Sequence, residues 1–305
     1  MNETKLNGIV VALQANYLLV EIDLKNQKID NEPVKLTRHR SKVRLLSKCR
    51  SKLNYNGKYV KVGDYVLVES IDWNASRAII SDLLPRKNLL KRPAVANVDK
   101  VFITASCREP IFDNNQVSRF LLTAEKMNLD ICLLITKIDL LLADHIDSQL
   151  KKLKDWGYEI IIVSVKTGYG INDLYDSLSK SNISVFSGPS GVGKTSLINK
   201  LLVGKDLPVG SLSKRLQRGK NTTRHVELYS LRNGSRIADT PGFNKPDINC
   251  ERIQLQWLFP EIRSQLTSKS CKFRDCLHQD ELGCMLNKNW NRYSLYRNYL
   301  AELVD

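Results

Sequence analysis

A glycine-rich turn between an apolar strand and a helix is the feature that most constrains this chain. Residues 186–202 read FSGPSGVGKTSLINKLL, in which Gly188, Gly193, Lys194 and Thr195 satisfy the pattern G-x-x-x-x-G-K-[ST]. Small residues let the backbone wrap tightly, so that successive N–H groups point inward at a helix N-terminus. The pattern therefore predicts a phosphate-binding loop, and by itself it leaves open whether the nucleotide is ATP or GTP.

Two side chains of this loop carry most of the predicted chemistry. Lys194 is expected to neutralise charge on the β- and γ-phosphates, and the Thr195 hydroxyl is expected to ligate magnesium, which makes both candidate catalytic residues. Backbone N–H groups supply the other phosphate contacts. The loop residues predicted to bind nucleotide are Gly188, Pro189, Ser190, Gly191, Val192, Gly193, Lys194, Thr195 and Ser196.

A second motif, Thr136-Lys137-Ile138-Asp139, lies upstream, after the apolar strand DICLLI. It is close to the Asn-Lys-x-Asp guanine reader, in which the carboxylate, here Asp139, accepts from guanine N1–H and the 2-amino group. Adenine offers neither donor and would leave the carboxylate unpaired. Lys137 can lie against the base plane, whereas Thr136 keeps a hydroxyl but lacks the amide that reaches base N7 and the phosphate loop. Taken alone, the four letters also fit a helix N-cap with a solvated lysine.

One strand later, the segment IIIVSVKTG provides a second base-contacting loop. Ser164 and Val165 stand where GTPases usually have Ser-Ala. A backbone N–H is expected to meet guanine O6 there, so the valine is tolerable if the backbone makes the contact. This spacing strengthens the prediction that the nucleotide is GTP.

The metal-side elements follow the phosphate loop. Asp239-Thr240-Pro241-Gly242 fits Asp-x-x-Gly, in which the Asp239 carboxylate holds magnesium through water and the Gly242 N–H contacts the γ-phosphate. Upstream, QRGKNTTRHVEL supplies hydroxyls. Thr223 is the predicted third magnesium-side residue, with Thr222 as the adjacent alternative.

The group that orients the attacking water is less clear from the sequence. Ras-like enzymes place a glutamine directly after the glycine of Asp-x-x-Gly, but this chain has Phe243, which cannot orient water. Hydrolysis therefore needs another group or a partner that completes the site. His225 is the candidate, against the alternative that it is merely solvated.

The order of these elements is itself informative. They run base reader, second base loop, phosphate loop, switch threonine and Asp-x-x-Gly, so that the last part of the usual chain comes first. Chain ends often lie close together and circular permutation is tolerated. The same parallel sheet can therefore form.

The chain resembles the circularly permuted GTPases of the RsgA (YjeQ) family. Beyond the permuted motifs, the resemblance rests on RPAVANVDKVFI, SGPSGVGKTSLIN, RGKNTTRHVEL, IADTPGF and FPEI. It implies an N-terminal OB-fold, a permuted GTPase and a C-terminal zinc domain, acting in late maturation of the small (30S) ribosomal subunit, which stimulates hydrolysis. Family members usually read Arg-His-Thr-Thr in the switch, with that histidine a suggested catalytic group, whereas this chain has Asn221.

A cysteine-rich loop lies near the C-terminus, in CKFRDCLHQDELGC. Cys271, Cys276, His278 and Cys284 offer three thiolates and one imidazole, a set that suits tetrahedral zinc. The alternative, free surface thiols beside a histidine, leaves their clustering unexplained. Four protein ligands leave no open position, so a structural zinc that contributes folding energy is predicted.

Length and periodicity predict a multidomain α/β protein, because 305 residues exceed one ordinary core. Residues 1–84 read as an OB-fold β-barrel that binds RNA, and residues 85–247 as a circularly permuted P-loop GTPase domain. Residues 248–305 read as a mainly helical zinc-binding domain. Residues 83–100 are interpreted as a linker.

The charge balance points to a polyanionic partner. Lysine and arginine number 47 against 32 acidic residues, a formal charge of +15, and a basic stretch spans residues 35–52. With the family resemblance, this predicts a monomer that binds the small ribosomal subunit and its rRNA in the cytoplasm, not a membrane. A nucleotide-switched RNA-binding factor with little turnover remains the alternative to an active GTPase.

Overall fold

The computed structural model describes residues 5–14, 16–27, 42–51, 53, 59–91, 94–141, 143–202, 226–239, 246 and 248–303, without the side chains of residues 26, 91, 143–148 and 239. The chain divides into two compact units. The first comprises Met1–Asp99, Ser179–Val185 and Leu202–Gly242, and the second comprises Lys100–Leu178, Phe186–Leu201 and Phe243–Asp305. The predicted domain boundaries at residues 84/85 and 247/248 stay a prediction.

Five strands of the first unit form a closed barrel. Each neighbouring pair is antiparallel except β3 and β5, which are parallel, and β4 closes the barrel by pairing with β1. Alternate side chains face a common apolar core that includes Val10, Val20, Ile22 and Leu45. The predicted OB-fold barrel is therefore confirmed. Its strands are β1 (Leu6–Gln14), β2 (Tyr17–Asp23), β3 (Lys42–Cys49), β4 (Tyr65–Asp72) and β5 (Arg77–Leu83).

The segment interpreted as a linker is ordered instead. It contains an antiparallel hairpin of β6 (Leu89–Lys91) and β7 (Ala94–Ala96). The Asn97 side chain secures it, donating to the Gly63 carbonyl at 2.9 Å and accepting from the Lys87 N–H at 2.8 Å. The linker interpretation is wrong because several of its apolar residues are buried within the first unit, namely Leu90, Val95, Ala96 and Val98.

The second unit contains a parallel sheet with helices between the strands. Its three consecutive strands are rich in apolar residues, as buried parallel strands usually are, and the middle one pairs with both neighbours. Carboxyl ends of parallel strands meet at one edge, where ligands usually bind. From Lys100 onward the elements are β8 (Lys100–Ser106), α1 (Asn114–Glu125), β9 (Asp130–Thr136), α2 (Ala143–Lys154), β10 (Glu159–Ile162), α3 (Ile171–Ser179), β11 (Ile183–Ser187) and α4 (Lys194–Leu202). The first three residues of β11 belong to the first unit.

Two further strands of the first unit lie between the start of β11 and the barrel. Strand β12 (Glu227–Ser230) and strand β13 (Arg236–Asp239) form an antiparallel hairpin, and β13 pairs in parallel with β11. On its other side, β12 pairs with β1 of the barrel. The barrel is therefore hydrogen-bonded to the hairpin that ends at Asp239.

The C-terminal region is helical, as predicted, and packs within the second unit. It comprises α5 (Arg252–Leu255), α6 (Pro260–Leu266) and α7 (Tyr293–Glu302) around a core that includes Phe259 and Tyr296. Leu122 of α1 belongs to the same core. Among the described residues, no helix combines the length and the apolarity that crossing a membrane requires.

Candidate nucleotide site and metal centre

The phosphate loop connects β11 to α4 and depends on a glycine at its first position. Gly188 has φ +145°, and a Cβ built there would lie 2.0 Å from the Thr104 carbonyl oxygen. Only glycine can therefore let the loop pass so close to β8. Val192 is buried within the loop, whereas Thr195 and Ser196 are exposed at the start of α4.

Lys194 lies across the loop that it follows. Its ammonium donates to the Gly188 carbonyl at 2.7 Å and to the Pro189 carbonyl at 2.6 Å. The positive charge is thus held against the loop backbone, where a nucleotide phosphate would meet it.

The first base-reading segment is joined directly to the phosphate loop. At the end of β9, the buried Thr136 hydroxyl donates to the Val192 carbonyl at 2.6 Å. Thr136 therefore reaches the phosphate loop although it lacks the usual amide. Lys137 follows in a left-handed conformation, φ +59° and ψ 35°. Its Cε lies 4.0 Å from a Cβ built on Gly193, and its ammonium donates to the Glu109 carbonyl.

The two base loops meet at a carboxylate. The Ser164 hydroxyl, which is fully buried, donates to Asp139 Oδ1 at 2.6 Å. The Ser164 hydroxyl oxygen in turn accepts a hydrogen bond from the Thr167 N–H at 3.1 Å, so that the serine hydrogen is directed at the aspartate. Asp139 is exposed while Val165 is half-buried. The carboxylate is consequently oriented yet open to a ligand, and Ile138 is buried beneath it.

Sequence reasoning missed the loop after β8 that supports the base reader. The buried Cys107 thiol donates to the Lys137 carbonyl at 2.9 Å, and Arg108 donates to the Leu140 carbonyl at 3.2 Å. Burial raises the pKa of Cys107, which keeps the donor hydrogen in place at neutral pH. No motif could reveal these residues, because their partners are backbone carbonyls about thirty positions away.

The magnesium-side residues are described only in part. Asp239 is the last residue of β13 and pairs with Glu227 of β12, but its side chain lies outside the description. Gly242, Thr223, its alternative Thr222, and His225 also lie outside the described residues, as do Asn221 and Phe243. Their roles stay predictions.

The predicted metal ligands are brought together. The ligand atoms of Cys271, Cys276, His278 and Cys284 all lie within 4.8 Å of one another. His278 Nδ1 is 3.5 Å from each of the three sulfurs. A tetrahedral zinc with Zn–N of about 2.0 Å and Zn–S of about 2.3 Å needs an N–S separation of about 3.5 Å. The geometry fits this metal.

Neighbouring groups prepare the cluster for a cation. His278 Nε2 lies 2.7 Å from Gln256 Oε1, while the Gln256 amide donates to the Ile253 carbonyl at 2.9 Å. The glutamine oxygen therefore faces the imidazole, which places the ring hydrogen on Nε2 and leaves Nδ1 free as a ligand. Burial lowers the pKa of His278, which favours the neutral ring.

The thiols need a cation to become ligands. Burial, reinforced by the thiols of Cys271 and Cys284, raises the pKa of Cys276 to about 12. Met285 N–H donates to the Cys271 sulfur at 3.3 Å, a contact that a thiolate strengthens. Binding of a metal would therefore release protons from this cluster.

Comparisons with known proteins agree with this architecture. The family model described as RsgA GTPase matches residues 83–249. A relative in Prochlorococcus marinus strain NATL2A, named small ribosomal subunit biogenesis GTPase RsgA, is 52% identical over 99% of this chain and 95% of its own length. The chain belongs to the RsgA GTPase family. A relative of the same name in Synechococcus sp. strain CC9311 is 46% identical over 98% of this chain and 94% of its own length.

Solved structures of similar proteins extend the RsgA likeness to the whole fold. YjeQ from Thermotoga maritima superposes with a TM-score of 0.78 at 30% identity, covering 98% of both chains. YloQ, described as a circularly permuted GTPase, gives a TM-score of 0.73 at 26% identity, covering 98% of this chain and 94% of its own. The predicted barrel, permuted GTPase order and C-terminal Cys3His cluster are therefore confirmed together.

Membership of the RsgA family also fixes the class of ligand. A guanine nucleotide is the ligand of a GTPase, and magnesium accompanies the phosphates in P-loop enzymes of this class. The hydrogen bonds from Thr136 to the phosphate loop and from Ser164 to Asp139 join the segments that are predicted to bind this nucleotide.

Proposed function

We propose that this chain hydrolyses GTP to GDP and phosphate during late maturation of the small ribosomal subunit, and that the subunit stimulates the reaction. The observation that carries the proposal is the hydrogen bond from Thr136 to the Val192 carbonyl. It holds the guanine-reading segment against the phosphate loop, so that one nucleotide can engage both. The names of the RsgA relatives support the choice of the small subunit as the site of action.

In this proposal the chain's own residues bind and orient the nucleotide. Asp139, oriented by Ser164, accepts from guanine N1–H and the 2-amino group, and the Lys137 stem lies on the base. The loop Gly188–Ser196 surrounds the phosphates, and Lys194 leaves the loop carbonyls to neutralise them. Magnesium, when bound, would neutralise charge that develops on the phosphates. Thr195, Asp239 and Thr223 are the residues proposed to hold it.

Water activation is assigned to the complex with the subunit. Phe243 replaces the glutamine that orients water in Ras-like enzymes, and Asn221 replaces the family histidine. His225 is the remaining candidate within this segment. Intrinsic turnover should therefore be slow, as it is for GTPases that wait for a partner to complete the site.

Turnover measured with and without small subunits tests the proposal. Stimulation of about tenfold or more in kcat is expected if the subunit completes the site. Large ribosomal subunits serve as the control, because they carry the same kind of rRNA charge but are not the proposed partner. GTP binding with no stimulation would favour the alternative, a nucleotide-switched RNA-binding factor.

We further propose that the Cys3His cluster holds one structural zinc. The 3.5 Å separations between His278 Nδ1 and the three sulfurs support it. Metal analysis of the purified protein should give one zinc per chain. Cys276→Ser should lose it, whereas Cys250→Ser, a cysteine outside the cluster, should keep it. Full zinc content in Cys276→Ser would contradict the assignment.

The partner and setting follow from charge and family. We propose that the chain acts as a monomer in the cytoplasm and binds rRNA through its barrel. The described part of the basic stretch carries Arg44 and Lys48 on β3 and Arg50 directly after it, each at least partly exposed. The proposed domains are residues 1–84, 85–247 and 248–305. Cross-linking to rRNA should therefore concentrate in the first of them.

A further inference from the structure

The outer face of strand β2 is covered within the first unit. Val20 and Ile22 point into the barrel core, so Glu21 between them points outward. An outward carboxylate would ordinarily be solvated, yet Glu21 is only 5% exposed. The β12–β13 hairpin covers it. In OB-folds the β2–β3 face commonly binds nucleic acid, and here part of that face binds the chain itself.

Glu21 is the centre of a charge cluster that joins the barrel to this hairpin. From β13, Arg236 donates to Glu21 Oε1 at 3.1 Å, and from β12 the Ser230 hydroxyl donates at 3.2 Å. From the barrel, Arg44 Nε donates to Oε2 at 3.1 Å, and Lys42 Nζ lies 3.6 Å from Oε1. One carboxylate therefore connects four strands.

Arg44 continues the cluster to the predicted magnesium side. Its Nη1 lies 3.8 Å from the carboxylate of Glu227. Glu227 pairs with Ala12 of β1 on one side and with Asp239 of β13 on the other. Ala12, Glu227 and Asp239 therefore lie side by side on three neighbouring strands, the first of which belongs to the barrel. At the other end of β13, Arg236 bonds to Glu21.

We propose that Glu21 is a positioning residue for the magnesium side of the nucleotide site, holding β13, and with it Asp239, against the barrel. Glu21 itself touches no nucleotide and acts through β13. The inference rests on the proposed function, since it assigns a residue that positions part of that same site.

Magnesium dependence distinguishes positioning from ordinary structural support. Glu21→Gln should raise the Mg²⁺ concentration for half-maximal GTP turnover by about three- to tenfold. The reason is that β13 would no longer hold Asp239 in place, and a poorly positioned ligand binds Mg²⁺ less tightly. GDP affinity measured in EDTA should stay within about twofold, because the base reader and phosphate loop are untouched. A purely structural role would lower the thermal midpoint without changing the Mg²⁺ dependence.

Glu69→Gln is the matched control. Glu69 is a barrel glutamate that is 3% exposed and paired with Lys5 and Arg50, both in the barrel. Its substitution should leave both measurements at wild-type values. Arg236→Gln should reproduce the effect of Glu21→Gln, and the double variant should be no worse than either alone, because the two act as one unit.

Each outcome decides the proposal. Equal Mg²⁺ dependence for Glu21→Gln and Glu69→Gln would overturn it. Should Glu21→Gln fail to fold by circular dichroism, Arg44→Gln replaces it, since Arg44 is 40% exposed and joins Glu21 to Glu227. If the wild-type protein shows no GTP turnover, the proposed function fails. Mg²⁺-dependent binding of a non-hydrolysable GTP analogue then still tests Glu21.

Discussion

A single methyl group at position 188 should disable the phosphate loop. The added Cβ of Gly188→Ala would lie 2.0 Å from the Thr104 carbonyl. The backbone would have to move at a cost of about 1–3 kcal/mol, so GDP affinity should fall about tenfold or more. Gly234→Ala is the control, because it has φ +91° but nothing within 4 Å. Calorimetric titration with GDP measures both, and unchanged affinity in Gly188→Ala would contradict the description of the loop.

The choice of base should depend on one carboxylate. Asp139→Asn exchanges an acceptor for a donor, so preference should move from GTP toward xanthosine triphosphate, with GTP affinity reduced about tenfold or more. Ser164→Ala removes the hydrogen bond at 2.6 Å that orients the carboxylate. This substitution should weaken the binding of both GTP and xanthosine triphosphate without changing which of them binds more tightly. Competition binding separates the two variants, and wild-type GTP affinity in Asp139→Asn would refute the base-reader assignment.

Single functional residues could be predicted when they lie within a sequence motif, and not when their partners are distant along the chain. Motif residues such as Lys194 and Asp139 could be selected because their spacing along the chain carries the chemistry. The hydrogen bond of Thr136 to the phosphate loop could be anticipated as a role but not as a geometry, since a hydroxyl replaces the usual amide. Cys107 could not be found, because it binds a backbone carbonyl and leaves no mark on the sequence.

At the scale of elements, one face of α1 holds the C-terminal helices. Asn115 accepts from the Tyr299 hydroxyl, Arg119 pairs with Glu302, and Glu125 pairs with Arg263 at 2.9 Å. Behind them, Arg292 and Glu261 form a fully buried pair at 2.6 Å, with the guanidinium over the Trp156 ring. The C-terminal helices are therefore anchored to the GTPase helix by charge as well as by apolar packing.

The buried pair should dominate the stability of this contact. Glu261→Gln leaves the Arg292 charge buried and uncompensated, and should cost about 3–5 kcal/mol. Glu302→Gln removes an ion pair whose glutamate is half exposed, and should cost less than about 1 kcal/mol. Urea unfolding measures both. Equal losses of unfolding free energy in the two variants would show that burial does not make the Arg292–Glu261 pair more important than the Arg119–Glu302 pair.

The glutamine beside the metal cluster gives a second element-scale prediction. Gln256→Leu removes the acceptor 2.7 Å from His278 Nε2, so zinc affinity should fall about 10–100-fold. Gln254→Leu, two positions earlier and exposed, should bind zinc as the wild type does. Competition with a chromogenic chelator measures the affinity. A drop in zinc affinity of the same size in Gln254→Leu would mean that disruption of the helix, and not loss of the imidazole contact, weakens zinc binding.

The elements themselves were largely readable from periodicity. Periodicity predicted the barrel of residues 1–84, and the buried face of α1 has apolar residues at helical spacing, at Val117, Phe120, Leu121 and Ala124. The hairpin β6–β7 was mistaken for a linker because Pro85, Pro93 and nearby basic residues interrupt its short apolar runs. Its buried apolar residues acquire meaning only once the barrel is present to cover them.

For the whole molecule, the formal charge of +15 predicts how the partner is held. Binding to small subunits should weaken steeply between about 50 and 200 mM salt, because phosphate contacts release counterions. GDP affinity, which depends mainly on the phosphate loop and the base reader, should change far less. Filter binding at graded salt measures the first, and a flat response would argue against rRNA as the principal contact.

Acid should loosen the attachment of the barrel to the hairpin. Burial raises the pKa of Glu21, but the charges of Arg236, Arg44 and Lys42 outweigh it and hold the pKa below the ordinary 4.5. A lowered folded pKa means that its contribution to stability is fully present above pH 4.5 and is lost as pH falls through the folded value. Glu21→Gln should therefore be less stable at pH 7 and lose less on acidification. Urea unfolding from pH 7 to pH 3 compares them, with Glu69→Gln alongside.

The long-range organisation is what sequence reasoning could not supply. Glu21 bonds residues 209 and 215 positions away, and nothing in its neighbourhood distinguishes it from a solvated strand glutamate. The family resemblance gave the domains in order along the chain. It did not give the pairing of β1 with β12, which depends on how the permuted chain returns to the barrel.

That pairing bears on how the protein can be dissected. Strand β12 has β13 on one side and β1 on the other, so deleting the barrel leaves a bare strand edge. Such edges recruit other chains and promote self-association. A barrel-less fragment would then lose its function through aggregation as well as through loss of its RNA surface. Point substitutions on the exposed barrel surface separate these two effects, whereas truncation merges them.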